Sequence, residues 1–142
     1  MNSKNKIVFL ILVIVQGLHS VEEYIGKFWE IFPPARFIDS LISENLETGF
    51  IIINIGFFIF GIWCWFFPVL RNYNYARRII WFWIVIEMIN GIGHSFWALY
   101  EREYVPGIVT ALILLILSIY LMRQLLSINS MVNEKNISLK KQ

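Results

Sequence analysis

The stretch LILVIVQGLHSVEEYIGKFWE, from Leu10 to Glu30, decides how this chain is read. It begins as an apolar run of bilayer character, and near its end it carries His19, Glu22 and Glu23. About 20 apolar residues cross the hydrocarbon core of a membrane. A charged side chain placed there costs about 3 kcal/mol on insertion scales, and it is tolerated where it meets a partner or a wet cavity. The stretch therefore predicts a spanning helix that delivers polar groups to something inside the membrane.

Three more apolar segments follow. Thr48 to Leu70 carries no formal charge, Ile79 to Tyr100 is interrupted by Glu87, Asn90 and His94, and Val105 to Met122 opens with Pro106. Proline suits a first helical turn because it has no N–H to leave unpaired. The composition agrees: 58% of the 142 residues are apolar, 17% aromatic and only 15% charged, where soluble domains hold about 25% charged residues. Strand-like alternation is absent, so helices rather than a closed barrel satisfy the backbone in lipid. The expected fold is an all-α integral membrane four-helix bundle over residues 1–126, with a polar, loose cytoplasmic tail over 127–142. The basic start MNSKNK also fits a signal peptide, but GLHSVEE offers no small-x-small cleavage site, so the first segment is read as a span.

Charge position predicts orientation. Nine basic residues (Lys4, Lys6, Arg71, Arg77, Arg78, Arg123, Lys135, Lys140, Lys141) fall on one side of the spans, and three (Lys27, Arg36, Arg102) on the other. The positive-inside rule then puts both termini in the cytoplasm of a multi-pass cell-membrane protein. The net charge of +2 is too small to suggest nucleic acid, and the single Cys64 excludes an internal disulfide or a CxxC site. The outer connection, Ile25 to Glu47, contains a Pro-Pro break. From Arg36 onward it shows helical apolar spacing, read as a short amphipathic surface helix between the first two spans. It is either a plain connector or a lid. Gly56, Gly61, Gly91 and Gly93 are expected to let helices approach closely.

Depth brings the polar residues together. At ~1.5 Å per residue His19 lies about 20 Å from Lys6, and Glu87, Asn90 and His94 lie about 12, 17 and 23 Å from Ile79. Asn54 and Thr110 sit about 9 and 8 Å below the outer ends of their spans. Gln16, His19 and Glu23 are spaced i, i+3, i+7, and so are Glu87, Asn90 and His94, which gives each set one helix face.

HSVEE (His19–Glu23), NGIGH (Asn90–His94) and REYVPG (Arg102–Gly107) resemble the HXXEE family of small bacterial membrane proteins, whose biochemical function is undetermined. The resemblance implies a polar constellation of the kind found in metal-dependent enzymes and supplies no substrate.

Three chemistries remain open on these residues. The first is a single divalent ion, Zn, Fe or Mn, held by His19, Glu23, Glu87 and His94, an N/O ligand set without thiolates. Glu22 would then serve as general base, Asn90 as an orienting group, and Arg102 and Tyr104 as groups at the mouth. The reaction would be hydrolysis or related chemistry on a lipid-soluble substrate. The second is a metal-free acid–base site of the isomerase kind, with Trp29, Trp81, Trp83, Phe96 and Trp97 as aromatic lining. The third is a structural or transport role, in which the polar groups bind helices together or carry protons. Membrane lipids are the expected surroundings, and the sequence leaves open whether one chain or a homodimer completes the site.

Overall fold

A computed structural model describes residues 2–139, with side chains through residue 127. Its helices are α1 (Ser3–Ile25), α2 (Phe28–Ile31), α3 (Pro33–Ser40), α4 (Leu46–Cys64), α5 (Ala76–Glu101) and α6 (Ile108–Leu139). A π-helical turn, Trp65–Val69, extends α4. Four of these are long and apolar enough to cross a bilayer: Ser3–Ile25, Leu46–Val69, Ala76–Glu101 and Ile108–Ser127. No strand occurs among the described residues. The chain is an all-α integral membrane four-helix bundle.

The helix ends follow local chemistry. The Asn2 side chain accepts from the Asn5 N–H at 2.8 Å and starts α1, and Asn45 accepts from Thr48 N–H at 3.0 Å and starts α4. These caps satisfy backbone donors that have no intrahelical partner. Pro68 inside the extension of α4 removes one ladder donor, and the helix widens there into π geometry. The α5 helix stops where Arg102 turns left-handed at φ 58°.

Two boundaries differ from the sequence reading. The Pro-Pro pair does not break the surface helix but begins it, at Pro33 rather than Arg36, because proline is preorganised for the first helical turn. The last helix starts at Ile108 rather than at Pro106, because Gly107 sits at φ 89°, outside helical space. The expected tail over 127–142 falls mostly on side chains outside those described. Its backbone continues α6 as far as Leu139.

The core is a narrow seam. Phe9, Leu12, Val13, Ile80, Trp83, Ile84, Leu114 and Leu121 are fully buried between α1, α5 and α6. The α4 helix closes on them through Phe57, stacked on Trp83 at 4.4 Å between ring centroids. Close approach occurs at Gly91, where a Cβ would fall 2.7 Å from the Leu115 Cβ, and at Gly61, where it would fall 2.7 Å from a Val13 methyl. Gly56 and Gly93 meet nothing within 4 Å, so the expected close packing does not extend to them. Large apolar side chains such as Ile7, Leu18, Ile59, Ile89 and Ile116 stand exposed around the outside. A water-soluble surface does not carry such a belt, and lipid is its natural solvent.

Candidate metal centre

The polar residues collect at one end of the bundle, where α1 and α5 finish and α4 and α6 begin. His19 and Glu23 are one turn apart on α1, so their side chains share a face. His94 comes from α5. The two imidazoles stand edge to face with centroids 4.9 Å apart. One oxygen of Glu23 lies 3.3 Å from Nε2 of His19 and 3.3 Å from Nε2 of His94. All three residues are buried, at 1%, 7% and 5% exposure for His19, Glu23 and His94. Each offers a ligand atom, and these atoms lie within 4.8 Å of one another. One chain supplies the whole group.

The loop before α6 fixes the orientation of His19. Its Nδ1 is 3.1 Å from the Gly107 carbonyl and 2.9 Å from Thr110 Oγ1. A carbonyl can only accept, so Nδ1 carries a hydrogen, and in the neutral ring Nε2 then presents its lone pair. That Nε2 is buried with no hydrogen-bond partner among the described residues. Gly107 lies flat against the group. A Cβ there would fall 2.6 Å from Cε1 of His19, 2.8 Å from Cε1 of His94 and 3.0 Å from Cγ of Glu23. The Pro-Gly pair of the sequence is thus the roof of the site. Phe28 stacks on the other side of His94, at 5.3 Å and 24°.

Glu22, expected as a general base, is placed elsewhere. Its carboxylate accepts from the N–H groups of Val109 and Thr110 at 3.1 and 2.9 Å, from Thr110 Oγ1 at 2.5 Å and from the Tyr104 hydroxyl at 2.7 Å. It caps the N-terminus of α6, where free donors and the helix dipole favour an anion. Thr110 has one hydroxyl hydrogen and gives it to Glu22, so its oxygen receives the hydrogen of His19. The two glutamates of HSVEE divide the work: Glu23 enters the site, and Glu22 holds His19 through Thr110. Sequence spacing alone gave no sign of that division.

Glu87 lies outside the ligand group. It is fully buried and sits between two amides. With its amide nitrogen facing the carboxylate, Gln16 donates to Glu87 at 3.0 and 3.2 Å, and Asn90 Nδ2 approaches at 3.5 Å. Arg102 is exposed and forms none of the ion pairs open to it with Glu22, Glu101 or Glu103 among the described residues. Burial and the neighbouring Glu22 push the Tyr104 phenol up to about 12, which keeps it a hydrogen donor.

A cavity of about 340 Å³ opens beside Glu23 and His94, and Asn90 lines it too. Of the five aromatic residues expected as lining, Trp97 is there, and Phe28, Phe32 and Phe50 complete the aromatic wall. Trp83 packs in the core instead, and Phe96 is 71% exposed. Asp39 on α3 also lines this cavity. Its place in the apolar spacing of the surface helix was the one available signal.

The residues fit a metal. Two imidazoles and one carboxylate match three-ligand centres that keep an open coordination position. The Nδ1–H of His19 held by a carbonyl is the usual companion of a ligating Nε2. The orphaned Nε2 gives an independent reason to place a cation there.

No curated protein and no solved structure matches this chain. The family described as "Protein of unknown function with HXXEE motif" matches residues 10–121. The three motif residues His19, Glu22 and Glu23 and the packing around them lie inside that match, and the chain belongs to this family.

Proposed function

We propose that the chain is a membrane-embedded enzyme that depends on a single divalent metal, with His19, Glu23 and His94 as protein ligands. The carrying observation is the convergence of two imidazoles from α1 and α5 on one buried carboxylate oxygen. Zn, Fe and Mn all suit this set. Bound there, such an ion supplies an acidified water or polarises a substrate oxygen.

The chain's own residues do the remaining work. Gly107 and Thr110 hold His19 in the ligating tautomer. Glu87, with Gln16 and Asn90, forms a polar layer beneath the group. The aromatic wall of Phe28, Phe32, Phe50 and Trp97 limits water and suits an apolar substrate. Phe50 and Asn54 also line an apolar groove of about 550 Å³ between α1 and α4. A lipid-soluble substrate seated in that groove would meet two of the side chains that also wall the cavity. The basic-residue bias supports cytoplasmic termini in a cell membrane, with the site in the outer half of the bilayer. Hydrolysis or a related reaction is the chemistry such a centre most readily performs.

A second reading rests on the same 3.3 Å contacts, which become ion pairs between Glu23 and the imidazoles, without any metal ion, when Nε2 of each ring carries a hydrogen. That version is a metal-free acid–base site. Metal analysis of purified wild-type protein beside His19→Ala and His94→Ala separates the two. Stoichiometric metal lost in both variants supports the metal enzyme. Metal-free wild-type protein that binds no added Zn²⁺, Mn²⁺ or Fe²⁺ overturns it.

A further inference from the structure

Asp39 carries a buried carboxyl group whose Oδ2 no described residue satisfies. It is 3% exposed, its Oδ2 has no hydrogen-bond partner, and it forms no ion pair among the described residues. Buried polar groups are normally paired, and the exceptions call for a reason.

Its placement is imposed by the fold. The backbone carbonyl of Asp39 lies where a Cβ on Gly49 would be only 2.3 Å away, so α3 is pressed onto the first turn of α4. The N–H groups of Ile42 and Ser43 both donate to that carbonyl at 3.1 Å. The side chain is thereby held in the wall of the cavity that Glu23 and His94 also line. Burial pushes the Asp39 carboxyl up, and the charge of Glu23 adds to this. A hydrogen donor beside it would relieve that penalty.

No wall residue among those described hydrogen-bonds the Asp39 carboxyl. Asn54 donates from Nδ2 to the Phe50 carbonyl at 3.0 Å and accepts at Oδ1 from the Ser20 hydroxyl at 2.7 Å. Phe28, Phe32, Phe50, Ile38 and Trp97 have no polar atom aimed at it in any hydrogen bond.

We propose that Asp39 is a ligand-binding carboxylate, which receives an O–H or N–H hydrogen from an amphiphile whose polar head also reaches Glu23 and His94, the two members of the His–Glu group that line the same cavity. The inference rests on the metal reading of that group and adds the substrate class: a small apolar molecule with a hydrogen-donating head. The short helix α3 then closes the site as well as connecting two spans.

Octanohydroxamic acid is a suitable probe, because its head chelates metal and carries both an O–H and an N–H on an apolar chain. Its binding to the Zn²⁺-loaded full chain in detergent is measured by calorimetry, beside separate titrations of Zn²⁺ alone. Asp39→Leu is expected to weaken the hydroxamate about tenfold or more, the range for losing a hydrogen bond to a charged group, with Zn²⁺ affinity unchanged. Equal hydroxamate affinity in that variant overturns the proposal and leaves the metal reading standing. Failure of the wild type to bind Zn²⁺ overturns both. Should Asp39→Leu lose Zn²⁺ through misfolding, the isosteric Asp39→Asn decides: weakening by about threefold or more supports the role, and wild-type affinity overturns it.

Discussion

Gly107 and His19 are packed so closely that the glycine has no room for a side chain: a Cβ would lie 2.6 Å from the imidazole Cε1. The same residue gives its carbonyl to the His19 Nδ1–H at 3.1 Å. One position therefore supplies the shape of the roof and the tautomer of His19.

Gly107→Ala should damage the site twice. The methyl group collides with both imidazoles, and φ 89° is strained for any residue with a Cβ, at about 1 kcal/mol or more. We expect a loss of at least about tenfold in Zn²⁺ affinity, a perturbed supporting shell being worth about 10–100-fold, together with a lower Tm. Competition against a chromophoric chelator measures the first and thermal unfolding in detergent the second. Unchanged affinity would show that the roof does not touch the ligands in solution.

Thr110 tests the link between the two glutamates of the motif. Thr110→Val keeps the shape and removes the hydroxyl that joins Glu22 to His19. Metal affinity should fall about 10–100-fold, as for other outer-shell partners of ligating histidines. Thr110→Ser should stay near wild type. If valine and serine behave alike in chelator competition, the hydroxyl has no part in holding His19.

Glu22 separates a structural role from a catalytic one. Glu22→Gln keeps the shape but removes the anion at the start of α6, where a charge near a helix N-terminus is worth about 0.3–1 kcal/mol, and up to ~2 in partly buried sites. The expected result is a lower Tm in detergent, with a metal stoichiometry that stays at one. Complete loss of metal with an unaltered Tm would instead put Glu22 among the ligands.

Asp39 makes stability depend on pH. Its folded pKa is raised by burial and by Glu23, above the ordinary value of about 3.9. The stability it permits is fully present below that ordinary value and is lost as pH rises through the raised one. Asp39→Asn removes the ionising group, so its Tm should exceed that of the wild type at about pH 7–8 and match it near about pH 3. A variant less stable than wild type across the whole range would contradict the unpaired burial of this group.

The sequence by itself determined the four spans, because runs of about 20 apolar residues leave the backbone no alternative to helix in lipid. It also determined that His19 and His94 lie at one depth, since rise per residue is constant along a helix. Periodicity placed Glu23 on the His19 face for the same reason. Only tertiary structure decided which of the two adjacent glutamates enters the site, because Glu22 and Glu23 differ by about 100° around α1 and that angle has meaning only once α6 is docked. Glu87 shared the spacing of a ligand but found Gln16 as its partner, a contact between helices that periodicity within one helix does not report. Asp39 was illegible for the same kind of reason. Its burial comes from α3 folding back onto α4 at Gly49, a long-range packing event at a surface helix whose pattern reads as a connector.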